Sequence, residues 1–386
     1  MTLEVEVTNE EYGQAPPPLV SAILAVRNEE RYIEAVLRSL LSQDCVDCVL
    51  EIIVVDGDST DGTPEIVARL SAADARVRLV TNTRKRTPFA FNLGLQASQG
   101  EYVCILGAHT TYAANYVSTC LSELKLQGAG GCSGRVVTRP GAEGLEARLI
   151  AWALAHPFGT SSGSTRTRGA GFWDTIPYPV FRKNCVLEVG GYDSRLYRNQ
   201  DNDLNQRLRA RGHKLYITDK TECELWVVPT FRALMGYAYR TGFWNLISGK
   251  KNLASMSLRH FVPGMFVLAM MFCLVAFGAA GWMAPPENTW LRVPLLLMCS
   301  LYLCAAAAAS LQIGIRERSL AAVWLPAVFA LLHLSYGVGT LSALVRNAQL
   351  PQSEDAVAPE KSDTSGLREI EVGEAGSQSP KLWRVG

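Results

Sequence analysis

Short apolar runs alternate with amphipathic segments over the first hundred residues of the chain. Four runs have the length and composition of buried β-strands, at residues 19–26, 51–56, 77–81 and 101–106. Three segments between them have helical periodicity, at residues 28–42, 63–70 and 88–98. Because the strands are apolar throughout and their connections are short, the pattern predicts an α/β fold. Its mostly parallel sheet is expected to have helices on both faces.

The periodic pattern becomes weaker after residue 135. The sequence GTSSGSTRTRGAG, at residues 159–171, is rich in Gly, Ser and Thr and predicts a mobile loop. Regular structure is expected again at 180–189. A helix is expected over residues 201–211, where Gly212 would end it.

Three long apolar segments, at residues 261–283, 291–313 and 319–345, contain almost no charged side chains. A helix needs about 20 residues to cross the ~30 Å hydrocarbon core of a bilayer, so we expect three transmembrane helices. Basic residues precede the first segment and separate the second from the third: Arg240, Lys250, Lys251, Arg259, Arg316 and Arg318. The positive-inside rule then predicts a multi-pass protein of the cell (inner) membrane with a cytoplasmic N-terminal domain.

The remaining segments complete the expected domain organisation. Residues 1–18 are predicted to be a flexible arm, 19–228 the α/β domain and 346–386 a disordered tail. Residues 229–260 mix aromatic and basic side chains, which is typical of an amphipathic segment in the membrane interface. A surface helix packed on the α/β domain is the alternative. The chain has 37 Lys and Arg against 36 Asp and Glu, a balance that argues against a nucleic-acid partner.

Candidate chemistry lies directly after the predicted strands, where parallel sheets bind their ligands. Asp56 and Asp58 follow the second strand in the sequence VVDGDSTDGT. Carboxylates at this place can accept hydrogen bonds from a nucleobase or a ribose hydroxyl. An Asx-type turn that merely ends the strand is the alternative explanation.

Two further sequences contain candidate functional side chains. Ala108 and His109 follow the fourth strand, and an imidazole there is a candidate ligand for a cation that would hold a diphosphate. Asp201 and Asp203, in NQDND, lie at the start of a predicted helix. A carboxylate at this position is a candidate general base. An ordinary polar histidine and a helix-capping aspartate are the corresponding alternatives.

Taken together, these sequences resemble a family 2 glycosyltransferase with the GT-A fold. The matching stretches cover most of residues 19–250: VSAILAVRNEERYIEAVLRSLLSQ, EIIVVDGDSTDGT, FNLGLQASQGEYVCILGAH, FWDTIPYPVFRK, VGGYDSRLYRNQDNDLNQRLRARG and YRTGFWN. Within that family the chain is most similar to the succinoglycan-biosynthesis glucosyltransferase type, in which a DAH sequence replaces the usual DxD.

The resemblance implies a role for each candidate residue. It implies that a nucleotide-sugar donor, UDP-linked, is bound by Glu29, Asp56, Asp58 and Ala108, with His109 as a ligand of Mg²⁺ or Mn²⁺. Asp201 would be the catalytic base of an inverting transfer. The part of the active site that faces a lipid-linked or polysaccharide acceptor would be formed by Asp174, Asp203, Arg240 and Trp244. The implied process is the synthesis of an exopolysaccharide or another cell-surface glycan.

One position departs from the family pattern, because the chain has Gly107 where the family has Asp. The missing carboxylate calls the metal site into question and leaves a second hypothesis open. In that hypothesis the protein is a weak or inactive relative that binds a nucleotide sugar at the membrane. A transporter is disfavoured, since the apolar segments contain almost no internal charge apart from His333. A processive synthase is disfavoured as well, because the sequence has no Q-x-x-R-W motif.

Overall fold

The computed structural model describes residues 18–45, 47–283 and 292–350. The predicted arm, apart from Pro18, and the predicted tail beyond residue 350 lie outside these residues. Within them, the α/β domain contains nine strands, which are β1 (Leu19–Val26), β2 (Val49–Asp56), β3 (Val77–Thr81), β4 (Tyr102–Leu106), β5 (Thr110–Tyr112), β6 (Gly131–Arg139), β7 (Gly171–Phe172), β8 (Val180–Arg182) and β9 (Leu215–Trp226).

Helices follow most of these strands and continue into the C-terminal region. Those of the α/β domain are α1 (Ile33–Leu41), α2 (Thr63–Ala73), α3 (Thr87–Ala97), α4 (Tyr116–Leu126), α5 (Leu145–Leu154), α6 (Pro157–Thr160), α7 (Lys183–Glu188) and α8 (Gln200–Ala210). The C-terminal ones are α9 (Phe231–Lys251), α10 (Val262–Met283), α11 (Val293–Glu317) and α12 (Leu325–Val345).

The nine strands form one sheet in the order β3-β2-β1-β4-β8-β6-β9-β5, and β7 pairs with β9. The strands β3, β2, β1 and β4 are parallel, as the sequence predicts. The chain moves outward from β1 to β3 and then returns to place β4 on the other side of β1. This change of direction opens a crevice at the carboxyl ends of β1 and β4, which is where ligands bind in open α/β sheets.

The second half of the sheet is mixed, and the sequence pattern did not reveal it. β8 is antiparallel to both β4 and β6, while β6 and β9 are parallel. β8 has only three residues, too few to show a periodic pattern of its own. Its insertion beside β4 brings the residues just before it against the end of β4.

Two buried clusters cover the two faces of the sheet, which confirms the predicted α/β layering. One face packs on α1, α2 and α4 through side chains such as Leu37, Val67 and Tyr116. The other packs on α3, α7 and α8 through side chains such as Phe91 and Leu208. The central strands are therefore buried on both sides, and this explains why they are apolar throughout.

The C-terminal region consists of long apolar helices. Among the described residues, two helical stretches are long and apolar enough to cross a bilayer, Val293–Glu317 and Leu320–Val345. The stretch Val262–Gly278 of α10, which lies within the first predicted span, is apolar as well. Large apolar side chains of these helices are exposed, as in Phe272, Leu301 and Leu311. Exposed apolar surfaces of this kind are typical of contacts with lipid or with another protein.

The helix α9 packs closely along α12. A Cβ atom added to Gly242 would lie 2.0 Å from the carbonyl oxygen of Tyr336, and one added to Gly339 would lie 2.1 Å from that of Tyr239. The two backbones approach each other at these glycines because neither residue has a side chain. The segment that the sequence predicts to lie in the interface thus contacts the last apolar helix directly.

Candidate active site

The loops that follow β1 and β2 are joined by hydrogen bonds between their backbones and short polar side chains. Asn28 adopts a left-handed conformation with φ 56°, and its side-chain oxygen accepts a hydrogen bond of 2.8 Å from the Thr60 backbone. The Glu29 backbone donates to the Thr63 hydroxyl at 2.7 Å. These contacts hold the two loops together at the crevice. Because the second contact uses the Glu29 backbone, it leaves the Glu29 side chain available for another partner.

The two predicted nucleotide-binding aspartates differ in their surroundings. Asp56 is buried at the end of β2, and its carboxylate accepts hydrogen bonds from the backbone and the hydroxyl of Ser59 at 3.0 and 2.5 Å. Asp58 is exposed, has φ 61° and forms an ion pair with Lys85. Lys85 lowers the pKa of the Asp58 carboxyl. Asp56 therefore shapes the turn, whereas Asp58 presents a carboxylate to solvent beside the crevice.

The third predicted motif lies against the first. His109 Nε2 is 3.1 Å from Glu29 Oε1, and the imidazole packs edge-on against the Tyr32 ring at 5.1 Å. His109 is exposed, Glu29 is half-buried and Ala108 is buried. The predicted ligands Glu29 and His109 are thus brought together, as the carboxyl ends of the adjacent strands β1 and β4 require.

Gly107 is surrounded by aromatic residues. A Cβ atom at this position would lie 2.8 Å from the ring of Tyr178, and the Gly107 backbone donates a hydrogen bond of 2.8 Å to the Tyr112 hydroxyl. Tyr178 has φ 46° and lies in the segment before β8. The space that an aspartate would need at position 107 is therefore taken by the Tyr178 ring.

A cavity of about 500 Å³ extends from Gly107 to the start of α8. Asp201 lines it together with residues of the Gly-rich loop and of α9. The charged side chains of the lining are Asp201, Arg166 and Arg198. The sheet end and the predicted base therefore face a single cavity.

Asp201 is exposed to this cavity, while the protein that forms the cavity wall keeps much of the water away from its carboxyl. This desolvation raises its pKa to about 6, and a hydrogen bond with the Tyr192 phenol acts in the opposite direction. Tyr192 is buried and its ring packs against Phe91 at 4.9 Å. A carboxylate with such a pKa is ionised at neutral pH and still basic enough to accept a proton during a reaction.

Asp203 is placed differently from its neighbour in the motif. Its buried carboxylate accepts hydrogen bonds from Arg207 Nε at 2.8 Å and Lys251 Nζ at 2.9 Å. Lys251 also forms an ion pair of 2.5 Å with Asp193. This enclosed position favours a structural role that fastens α8 to the end of α9, rather than the acceptor contact implied by the resemblance.

The other acceptor-side candidates lie outside the lining of the cavity with Asp201. Asp174 forms ion pairs with Arg168 and, at 3.3 Å, with Arg259. Arg240 is exposed on α9, with its guanidinium beside Gly236. Trp244 contacts the cavity indirectly, because it packs edge-on against Tyr197, a lining residue, at 5.3 Å. Their roles stay predictions.

Several residues of the cavity were not predicted from the sequence. Arg166 belongs to the loop predicted as mobile, and Arg198 directly precedes the NQDND sequence. Tyr237 belongs to α9 and Tyr178 to the segment before β8. The one sequence signal for these residues is the presence of two arginines, one within a loop of small polar residues and one beside an aspartate-rich sequence.

The side chains at the end of β4 do not make a typical site for a divalent cation. Position 107 has no carboxylate and no room for one, and the Glu29 oxygen nearest to His109 is engaged with the imidazole. In the described part of the chain, no three His, Cys, Asp or Glu side chains come together as candidate ligands. Mg²⁺ in proteins prefers one or two carboxylates in addition to substrate phosphates.

Comparisons with known proteins agree with this architecture. Residues 21–182 match the family described as glycosyl transferase family 2. The succinoglycan biosynthesis protein ExoA of Rhizobium meliloti (strain 1021) is 28% identical over 282 residues, which are 69% of this chain and 81% of that protein.

Two other known proteins are also similar to this chain. The dolichyl N-acetyl-alpha-D-glucosaminyl phosphate 3-beta-D-2,3-diacetamido-2,3-dideoxy-beta-D-glucuronosyltransferase of Methanococcus voltae is 24% identical, over 59% of this chain and 76% of that protein. The solved structure of the mannosyltransferase PcManGT from Pyrobaculum calidifontis, in complex with GDP-Man and Mn²⁺, superposes with a TM-score of 0.53. The superposition covers 88% of this chain and 92% of the mannosyltransferase chain at 20% sequence identity, which supports the GT-A fold.

Proposed function

Because this chain is a glycosyltransferase with a family 2 domain, we propose that it is an inverting, membrane-bound transferase of cell-surface glycan synthesis. Its donor is a UDP-linked sugar and its acceptor a lipid-linked or polysaccharide hydroxyl. The relative from Rhizobium meliloti is named for succinoglycan biosynthesis, and the name of the relative from Methanococcus voltae specifies a dolichyl-phosphate-linked sugar. Both names support an acceptor of this chemical class.

The observation that carries the proposal is the position of Asp201. Its carboxyl faces the same cavity as the end of β4, and burial raises its pKa to about 6. In the proposed reaction the acceptor oxygen attacks the anomeric carbon and the bond to the donor phosphate breaks. The acceptor proton passes to Asp201, and the electron pair of the broken bond leaves on the phosphate oxygen. A single displacement of this kind inverts the configuration at the anomeric carbon.

The acceptor approaches from the membrane side in this proposal. Tyr237 and Thr241 of α9 line the cavity, and α9 packs along α12. A polar contact continues in the same direction, because the Asn199 amide donates to Asn245 of α9 at 2.7 Å. The catalytic helix α8 and the apolar helices are therefore close neighbours, which suits an acceptor that is anchored in lipid.

We further propose that α10, α11 and α12 cross the inner membrane and leave the α/β domain in the cytoplasm. The basic residues before α10 and between α11 and α12 support this orientation. Nucleotide sugars are then available on the side of the active site. The exposed apolar surfaces of these helices support their contact with lipid.

The resemblance implies a divalent cation at the diphosphate. A cation would neutralise charge on the departing diphosphate. His109 is the side chain best placed to touch such an ion, with Glu29 beside it, but the donor set at position 107 does not fit a resident metal.

A transfer assay on the full chain in nanodiscs tests the proposed function. UDP- and GDP-linked sugars are combined with lipid-linked acceptors, and sugar incorporation and free nucleoside diphosphate are measured separately. We expect acceptor-dependent release from one donor. Nucleotide binding without release from any donor would reject the proposal and support the non-catalytic relative.

A further inference from the structure

A departing nucleoside diphosphate carries concentrated negative charge, and a transferase needs preorganised positive charge beside it. In this chain the position that would contribute a metal-binding carboxylate is Gly107, and the Tyr178 ring lies 2.8 Å from where its Cβ atom would be. The cavity that begins there is nevertheless lined by two cationic side chains. The groups around these two cationic side chains indicate which kind of ligand they bind.

Arg166 reaches the cavity from the Gly-rich loop. Its NH2 group is 3.4 Å from the Tyr237 hydroxyl, and its buried Nε atom has no hydrogen-bond partner among the described residues. Among the described residues, the groups that interact with its charge are the phenols of Tyr237 and Tyr178, not carboxylates. A buried guanidinium that lacks a carboxylate partner is costly unless an anion arrives.

Arg198 reaches the same place from the segment before α8. It donates a hydrogen bond of 2.9 Å to the Thr241 hydroxyl, and its guanidinium lies 5.4 Å from the Tyr237 ring centre. Thr241 and Tyr237 therefore hold this side chain at the wall formed by α9. Arg166 and then Arg198 lower the pKa of the Tyr237 phenol, which shows that both positive charges converge there.

Asp201 is the remaining charged side chain of the lining; burial raises the pKa of its carboxyl to about 6, and the Tyr192 phenol lowers it. Of the three charged side chains that line the cavity among the described residues, two are positive and one is negative. Positive side chains therefore outnumber negative ones in this part of the lining.

We propose that Arg166 and Arg198 bind the diphosphate of the donor and take the place of a protein-held divalent cation. This inference rests on the proposed function, since it concerns the same donor. When the bond between the anomeric carbon and the phosphate oxygen breaks, the electron pair stays on that oxygen. The guanidinium N–H groups then donate to the more negative diphosphate, while the acceptor proton goes to Asp201. Guanidinium groups suit this task because their planar donors match phosphate oxygens.

Calorimetric titration of the full chain in nanodiscs tests the inference without relying on turnover. UDP and uridine are titrated in EDTA and again with Mn²⁺. We expect UDP to bind in EDTA with an affinity within about threefold of that with Mn²⁺. Arg166→Gln and Arg198→Gln should each weaken UDP binding about tenfold or more, as for lost hydrogen bonds to a charged group, and should leave uridine binding unchanged. Arg69→Gln, which removes only an exposed ion pair with Glu34, is the matched control.

Two additional measurements keep the result decisive. Arg166→Lys and Arg198→Lys retain the charge and should recover part of the UDP affinity, and thermal unfolding checks that each variant is folded. A polyprenyl phosphate in the same nanodiscs distinguishes the donor diphosphate from an acceptor phosphate. Weaker binding of that lipid with unchanged UDP affinity in the Gln variants would overturn the inference in favour of the acceptor.

The remaining outcomes separate this inference from the proposed function. The wild type could require Mn²⁺ to bind UDP, and the Gln variants of both arginines could bind UDP as tightly as the wild type. This result would overturn the arginine assignment and leave the transferase proposal standing. A wild type that binds no UDP or GDP under either condition would overturn both.

Discussion

The substitution Asp201→Asn addresses the chemical step most directly. It preserves the size of the side chain and removes its ability to accept the acceptor proton. General-base assistance contributes roughly a hundredfold to ten-thousandfold in rate. Since each tenfold change corresponds to about 1.36 kcal/mol, the barrier should rise by about 2.7 to 5.4 kcal/mol. Affinity for UDP should not fall, because the substitution removes a negative charge from the cavity and takes no hydrogen-bond donor away from the nucleotide.

The pKa of Asp201 adds a pH dependence whose sign is defined. The folded protein raises this pKa from an ordinary value near 3.8 to about 6, and only the ionised form can accept a proton. Transfer should therefore increase with pH through about 6 and level off above it. About nine tenths of the carboxyl is ionised at pH 7 and about one tenth at pH 5. Initial rates at saturating donor, measured from pH 5 to 8.5, show this limb.

Tyr192→Phe is the matched variant for this assignment. The phenol lowers the pKa of Asp201, so its removal should raise that pKa and move the limb to higher pH. The ring contact with Phe91 is retained, so the plateau rate above pH 8 should change little. An Asp201→Asn enzyme with more than a tenth of wild-type activity, or a limb that Tyr192→Phe does not move, would refute the base assignment.

The other predictions concern the donor, the packing and the topology. Asp58→Ala should weaken UDP binding in calorimetric titration more than it lowers kcat, because the exposed carboxylate lies beside the crevice; unchanged affinity would exclude it as a nucleotide ligand. Asp203→Asn should lower the free energy of unfolding by about 3 kcal/mol, since it breaks a buried ion pair. It should slow transfer less than Asp201→Asn does, and the reverse order would contradict a structural role. Gly242→Ala should destabilise the protein by about 1–3 kcal/mol in thermal unfolding, because its Cβ atom would overlap α12. Gly278→Ala, whose Cβ atom would meet no atom of the described residues within 4 Å, is its control. Reporter fusions after residues 283, 317 and 345 should be outside, inside and outside; an inside signal from the last would remove the third crossing.

The pattern of apolar residues predicted the bounds of a strand well where the strand is apolar throughout and therefore buried. β1 and β3 have the bounds that the apolar runs predict, and β2 begins only two residues earlier. The first helix begins at Ile33 instead of residue 28. The left-handed Asn28 and the turn in which Glu29 accepts from the Tyr32 and Ile33 backbones explain the difference. Periodicity reports burial along a helix, but a turn stabilised by contacts with the next loop leaves no periodic trace.

The same distinction applies to the active site. The sequence by itself determined that Asp56 ends a strand, that Asp201 begins a helix and that the C-terminal region is apolar, because each property depends on neighbouring residues. Only the tertiary structure decided that Glu29 contacts His109 and that Tyr178 occupies the space beside Gly107. It also decided that Arg166 and Arg198 share a cavity with Asp201, while Asp203, two residues away, is enclosed by Arg207 and Lys251. These outcomes depend on pairing and packing between segments distant in the chain, and no local pattern of polar and apolar residues encodes such contacts.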